Sequence, residues 1–225
     1  MGQEIKRRNN NMGNFILIRI VVGLLQANCY IYADQETKEA VIIDPGGNGK
    51  TIIKNVEKKK LNPIAILNTH YHPDHTCANK DLKERFNIPL MIGEKDAIQL
   101  QFVYDAAMQI MIQCNPSPPA DNLLREGDII KIGCLSLKVI ETPGHTAGGI
   151  CFYDEYNNIL FSGDTLFLES IGRTDLPTGS DKELTHSLKK LFNLPLYTVV
   201  YTGHGDKTTL FHEQEHNPFI KDALS

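Results

Sequence analysis

The chain has 225 residues, 41% of them hydrophobic and 22% charged. This composition suits a soluble globular protein with one large core or two small ones. A formal net charge of −4 argues against a general nucleic-acid or membrane-surface role. The most apolar early stretch, residues 15–25, is too short to span a bilayer and contains Arg19.

The amino-terminal basic residues are followed by Asn9-Asn10-Asn11 and no small-residue cleavage site, unlike a signal peptide. Residues 1–11 read as a disordered leader, and Met12 is an alternative start. Residues 12–225 read as one domain. The segments 15–22, 28–33 and 39–44 predict three strands in a meander. Asp44-Pro45-Gly46-Gly47 then makes a loop. A helix to about Lys60 leads into an apolar strand at 64–67, and 76–86 reads as helical, with Leu82 and Phe86 on one face. A short strand at 88–92 precedes a Met- and Gln-rich helix over 94–113. Met108 and Met111 there suit a cover for a site or a contact with a partner, including a second copy of the chain. The run Asn115-Pro116-Ser117-Pro118-Pro119 reads as a loop between two halves. The second half has strands between 128 and 161, a helix over 181–192 and a strand at Val199. The basic runs Lys6-Arg7-Arg8 and Lys58-Lys59-Lys60 read as solvated surface.

Five cysteines (29, 77, 114, 134 and 151) make an odd number with no paired framework. They predict free, mostly buried thiols and a reducing, cytoplasmic setting. Cys77, two residues after His75, reads as packing at a helix start or as a thiol near a metal.

The run His70-Tyr71-His72-Pro73-Asp74-His75 carries the chemistry. Three imidazoles and a carboxylate are the side chains that zinc-like cations prefer. His70 and His72 point the same way in an extended segment, while Asp74 and His75 suit a second direction. His145, Asp164 and His204 follow in Thr-Pro-Gly-His-Thr, Phe-Ser-Gly-Asp-Thr and Tyr-Thr-Gly-His-Gly. Each comes directly after an apolar run, so each falls in a turn at the carboxyl end of a strand, where sites gather in layered α/β folds. A second pattern, His212-Glu213-Gln214-Glu215-His216, matches the H-E-x-x-H of zinc peptidases. We reject it, because Asn217-Pro218 ends any helix at once and no third ligand lies close behind. His212, His216 and His186 read as surface helix residues.

The order His70-x-His72-x-Asp74-His75, His145, Asp164, His204 resembles the metallo-β-lactamase superfamily over nearly the whole chain from about Met12. The resemblance implies an α/β fold, an αββα four-layer sandwich with metals at one edge. It implies that His70, His72 and His145 bind a first divalent ion, and Asp74, His75 and His204 a second, with Asp164 bridging. Zinc is the expected metal, with iron or manganese as alternatives. The segments 170–177 and 202–205, with Thr208-Thr209 and Asn217-Pro218-Phe219, are similar to short glyoxalase II-like hydrolases. The chain departs from that pattern at Cys77-Ala78, where relatives carry glycines. It also ends at Ser225, short of the helical extension of full-length glyoxalase II.

Two ions about 3.5–4 Å apart would bridge one water and lower its pKa towards roughly 7, giving a hydroxide that attacks a carbonyl carbon. No residue of the motif is a dedicated general acid. A thiol, with a pKa of about 8.5, leaves as thiolate where an amine needs a proton. The expected substrate is therefore a small thioester of the hydroxyacylglutathione type. Asp74 is a candidate to orient water or accept a proton. Arg173 is a candidate to pair with a substrate carboxylate, or else pins its own loop with Asp175. The main alternative is a mononuclear iron persulfide dioxygenase with His70, His145 and Asp164 as its triad. Lactone and other ester hydrolases of the same fold follow. A structural metal scaffold is disfavoured, because closed structural zinc sites use thiolates and fill all four positions.

Overall fold

The computed structural model describes residues 14–224, so the expected leader over 1–11 and Met12 lie outside the described residues. The first half contains β1 (Phe15–Val22), β2 (Ala27–Asp34), β3 (Glu39–Ile43), α1 (Gly49–Lys58), β4 (Asn62–Asn68), α2 (Pro73–Thr76), α3 (Asn79–Phe86), β5 (Leu90–Gly93), α4 (Glu94–Ala97), a 3₁₀ segment (Ile98–Phe102), α5 (Val103–Gln109) and β6 (Asn122–Leu124). Its strands form a six-stranded sheet in the order β1-β2-β3-β4-β5-β6. The β1–β3 meander is antiparallel, and β3 to β6 are parallel.

The second half contains β7 (Ile129–Ile132), β8 (Leu135–Glu141), β9 (Ile150–Asp154), β10 (Ile159–Gly163), β11 (Leu166–Phe167), β12 (Ser170–Ile171), α6 (Asp181–Leu191), β13 (Val199–Thr202), β14 (Thr208–Thr209), α7 (Leu210–His216) and α8 (Pro218–Leu224). The order in its sheet is β14-β13-β10-β9-β8-β7, and β11–β12 is a separate ribbon.

Alternation along the strands makes four layers. In β2, Tyr30 and Tyr32 point between the sheets, while Cys29, Ile31 and Ala33 point to the outer helices of the first half. In β9 and β10, Phe152 and Phe161 meet those tyrosines, while Cys151, Tyr153 and Leu160 pack against α6 through Leu184, Leu188 and Leu191. Strands buried on both faces read as unbroken apolar runs, which is why β2 and β10 carry so few polar residues. The expected αββα sandwich is the fold observed.

Three local expectations are corrected. The helix over 94–113 is divided, and its centre winds as 3₁₀. That tighter winding eclipses residues three apart, so Leu100 and Val103 bury together. The helix over 76–86 breaks at Cys77–Ala78, because the Ala78 N–H donates to Pro45 O (2.8 Å). The cysteines are not all free: Cys77 and Cys114 form a disulfide across 37 residues. α5 packs on α2, and this folds the following segment back onto the histidine run. An odd count cannot exclude a pair, so it carries no inference about compartment. Cys29, Cys134 and Cys151 are free, and among the described residues no helix is long and apolar enough to cross a membrane.

Candidate metal centre

β4, β8, β10 and β13 end towards one edge of the sandwich, and the turns after them carry the predicted residues. Asp74 and His75 ride on α2, which Pro73 starts at its first position. His70, His72 and His145 bring three ring nitrogens within 4.8 Å of one another, and Asp74, His75 and His204 do the same with their donor atoms. Asp164 stands between these triples. Its Oδ1 is 3.3 Å from His75 Nε2, and its Oδ2 is 3.5 Å from His145 Nε2 and 3.6 Å from His204 Nε2. Asp74 Oδ2 lies 3.2 Å from His204 Nε2. All seven predicted residues are thus brought together. Gly203 lets them close up, since a Cβ there would sit 2.0 Å from Asp164 Oδ1.

An outer shell turns the rings inward. Thr69 Oγ1 donates to Asp44 Oδ2 (2.7 Å), so it accepts from His70 Nδ1 at 3.0 Å. His145 Nδ1 donates to Arg173 O (2.7 Å), His204 Nδ1 to Leu25 O (3.1 Å) and His75 Nδ1 to Asp44 Oδ2 (3.2 Å). The bonds of His70, His145 and His204 assign the proton to Nδ1 and leave the Nε2 lone pair facing the centre, while His75 turns Nε2 towards Asp164 and Asp74. His72 instead presents Nδ1, 2.9 Å from His145 Nε2.

These residues fit divalent ions. His70 Nε2 and Asp164 Oδ1 are buried and have no hydrogen-bond partner, which is rare for native polar atoms and is what ligation relieves. Burial holds His70 well below the ordinary imidazole pKa, helped by His75, His72, His145 and His204. Burial and His145 lower His72 to about 3, against the pull of Asp74. Both rings are therefore neutral, as ligands must be. Burial also disfavours charge on His75, but Asp164, Asp74 and Asp44 outweigh it and raise its pKa to about 10. The carboxylates thus favour a positive charge on that side of the centre.

Sequence reasoning missed two buried acids. Asp44 ends β3, orients His75 and fixes Thr69; it could have been found as one more acid at the end of an apolar strand. Asp96 accepts from Tyr71 N, Thr146 Oγ1 and Gly148 N, and no local pattern marks it. Burial pushes its carboxyl up to about 6, against those hydrogen bonds. The Arg173 side chain is exposed and paired to Asp175 through two contacts of 2.7 Å. The rejected H-E-x-x-H segment lies on α7, which ends at His216. There His212 contacts Glu169, and the buried Glu213 accepts from Thr208, Asn217 and Glu169 N.

The chain is 35% identical over 209 residues to hydroxyacylglutathione hydrolase GloC of Haemophilus influenzae, covering 89% of this chain and 96% of that one. The crystal structure of the BLEG-1 B3 metallo-β-lactamase superposes with a TM-score of 0.85 at 37% identity, over 91% of this chain and 99% of that one. TTHA1623 in a di-iron-bound form superposes with a TM-score of 0.84 at 36% identity, over 90% and 99%. The family model of the metallo-β-lactamase superfamily matches residues 22–204, a span from the end of β1 to the last histidine of the set. The chain therefore belongs to the metallo-β-lactamase superfamily, and its relatives there include metallo-hydrolases.

Proposed function

We propose that the protein is a binuclear metal-dependent hydrolase that cleaves thioesters of the hydroxyacylglutathione type. The observation that carries this reading is the convergence of two donor triples with Asp164 between them. His70, His72 and His145 would hold one ion, and Asp74, His75 and His204 the other, with Asp164 shared. Zinc best matches the nitrogen-rich donor set, and iron is the alternative that the di-iron relative suggests. Two bound ions supply Lewis acidity for a carbonyl oxygen and an activated water as nucleophile.

The chain's own residues narrow the substrate. Asp44 and Asp96, the buried acids beside the set, already accept hydrogen bonds from Thr69 and from Tyr71, Thr146 and Gly148. Tyr71 donates its hydroxyl to Pro177 O. Among the described residues, no acid of this shell is free to protonate a leaving group. A leaving group that departs as an anion is favoured, and a thiolate does so where an amine does not. Thioesters are therefore favoured over the β-lactams that the BLEG-1 likeness would suggest. Asp74, whose Oδ2 lies 3.2 Å from His204 Nε2, would orient water or take a proton. Arg173 would pair with a substrate carboxylate by giving up Asp175.

The test is hydrolysis of S-D-lactoylglutathione by purified protein, by a chelator-stripped sample and by the same sample given zinc. Turnover lost with the metal and restored by it supports the reading. No turnover by folded, metal-loaded protein overturns it. Oxygen uptake with glutathione persulfide and iron would then favour the mononuclear alternative on His70, His145 and Asp164.

A further inference from the structure

We infer that Asp96 is a positioning residue for the His70–His72–His145 triple, an inference that rests on the metal-centre reading above. Those histidines come from two turns on different sheets, one after β4 and one after β8. The His72 and His145 rings meet at 2.9 Å and the Ile150 N–H donates to Thr69 O (2.9 Å), and one side chain adds a further tie between these turns. Asp96 spans the two turns. Its Oδ2 accepts from Tyr71 N (3.2 Å), the peptide between His70 and His72, and from Thr146 Oγ1 (2.7 Å), next to His145. Its Oδ1 accepts from Gly148 N (2.7 Å) in the same β8–β9 turn.

The carboxylate is fully buried, and both turns close around it. A Cβ on Gly148 would lie 2.3 Å from Asp96 N and 2.6 Å from its Oδ1; one on Gly93 would lie 2.2 Å from Gly148 O. The glycines at 93 and 148 thus let the backbone close on Asp96 where a Cβ would clash. The three donors that Asp96 meets are all uncharged. Shifting this clamp moves His72 relative to His145, whose ring nitrogens stand 2.9 Å apart. The other triple, by contrast, is tied by Asp44 to His75 and by Leu25 O to His204, and it touches Asp96 nowhere.

The experiment titrates stripped protein with Co²⁺ and follows its ligand-field absorption, with His72→Ala and His204→Ala assigning the two binding steps. Asp96→Ala is expected to weaken the step that His72→Ala removes by about 10–100-fold, the usual range for an outer-shell partner. The step that His204→Ala removes stays unchanged. Asp96→Asn, which keeps one acceptor oxygen, falls in between. Circular dichroism confirms folding. Folded Asp96→Ala with both steps unchanged, or with both weakened alike, overturns the inference. Should Asp96→Ala fail to fold, Thr146→Val removes a single donor. A selective weakening of the same step then supports the inference, and no change overturns it. Wild-type protein that takes up no Co²⁺ overturns the metal-centre reading itself, a distinct result.

Discussion

Asp34 shows how one buried carboxylate joins the two sheets. It ends β2 and accepts from Cys134 N, in the turn between β7 and β8, at 2.5 Å, and from Glu36 N at 2.7 Å. The Cys134 N–H lowers its pKa most; burial opposes this, and the Glu36 and Thr37 N–H groups add to it. A carboxylate with a folded pKa below its unfolded value adds stability above the unfolded value, about 3.9, and loses it as pH falls through the folded one. Asp34→Asn should therefore cost about 1.5–3 kcal/mol at pH 6, the range for hydrogen bonds to a charged group. The difference from wild type should shrink below about pH 4. Urea midpoints measured from pH 6 to 2.5 with chelator present check this, and a difference independent of pH would refute it.

At the scale of elements, the disulfide and α7 make opposite demands on sequence reading. Cys77 caps α2, and its bond to Cys114 holds the segment after α5 against the turn that carries Asp74 and His75. Closing a loop of 37 residues in the unfolded chain favours the native state by roughly 4 kcal/mol. Cys114→Ser should lower Tm by about 8–16 °C under non-reducing conditions. Reductant should bring wild type to the same Tm. In α7 the peptidase-like motif has a structural part: Glu213 accepts from Thr208, Asn217 and Glu169 N, and so anchors the β11–β12 ribbon. Glu213→Ala strands the buried Thr208 hydroxyl, while Asn217 keeps its bond to Ser170 O, and should cost about 2 kcal/mol. His212→Ala, on the surface, should stay within about 0.5 kcal/mol. Equal losses of activity in both, with folding intact, would revive the zinc-peptidase reading that we reject.

For the whole molecule, the centre is a joint. His70, His72, Asp74 and His75 come from the first half, and His145, Asp164 and His204 from the second. An ion bound by both halves opposes their separation, so occupancy and global stability are linked. At free metal 100-fold above Kd, each ion should add about 2.7 kcal/mol to the native state. Calorimetry of stripped and zinc-loaded protein should show Tm rising with zinc concentration. A Tm blind to zinc in protein shown to bind it would mean that the unfolded chain holds zinc as tightly as the native state does.

The strands were legible because both faces of each sheet are buried, which writes long apolar runs such as Ala27–Asp34 into the sequence. The seven donor residues were legible because their chemistry is unusual and because His70, His145, Asp164 and His204 each come in a turn after such a run. Everything settled by residues distant in sequence stayed hidden. Asp44 and Asp96 look like ordinary acids until folding sets Thr69, Tyr71 and Gly148 against them. Cys77 and Cys114 look unpaired until α5 packs on α2. The break of the 94–113 helix follows from how Leu100 and Val103 bury, and helix propensity does not report on that. Sequence by itself determined which chemistry is present and which strands carry it, since periodicity and residue type are local. Only the tertiary structure decided what orients the donors and which thiols meet, because those depend on separations that packing alone sets.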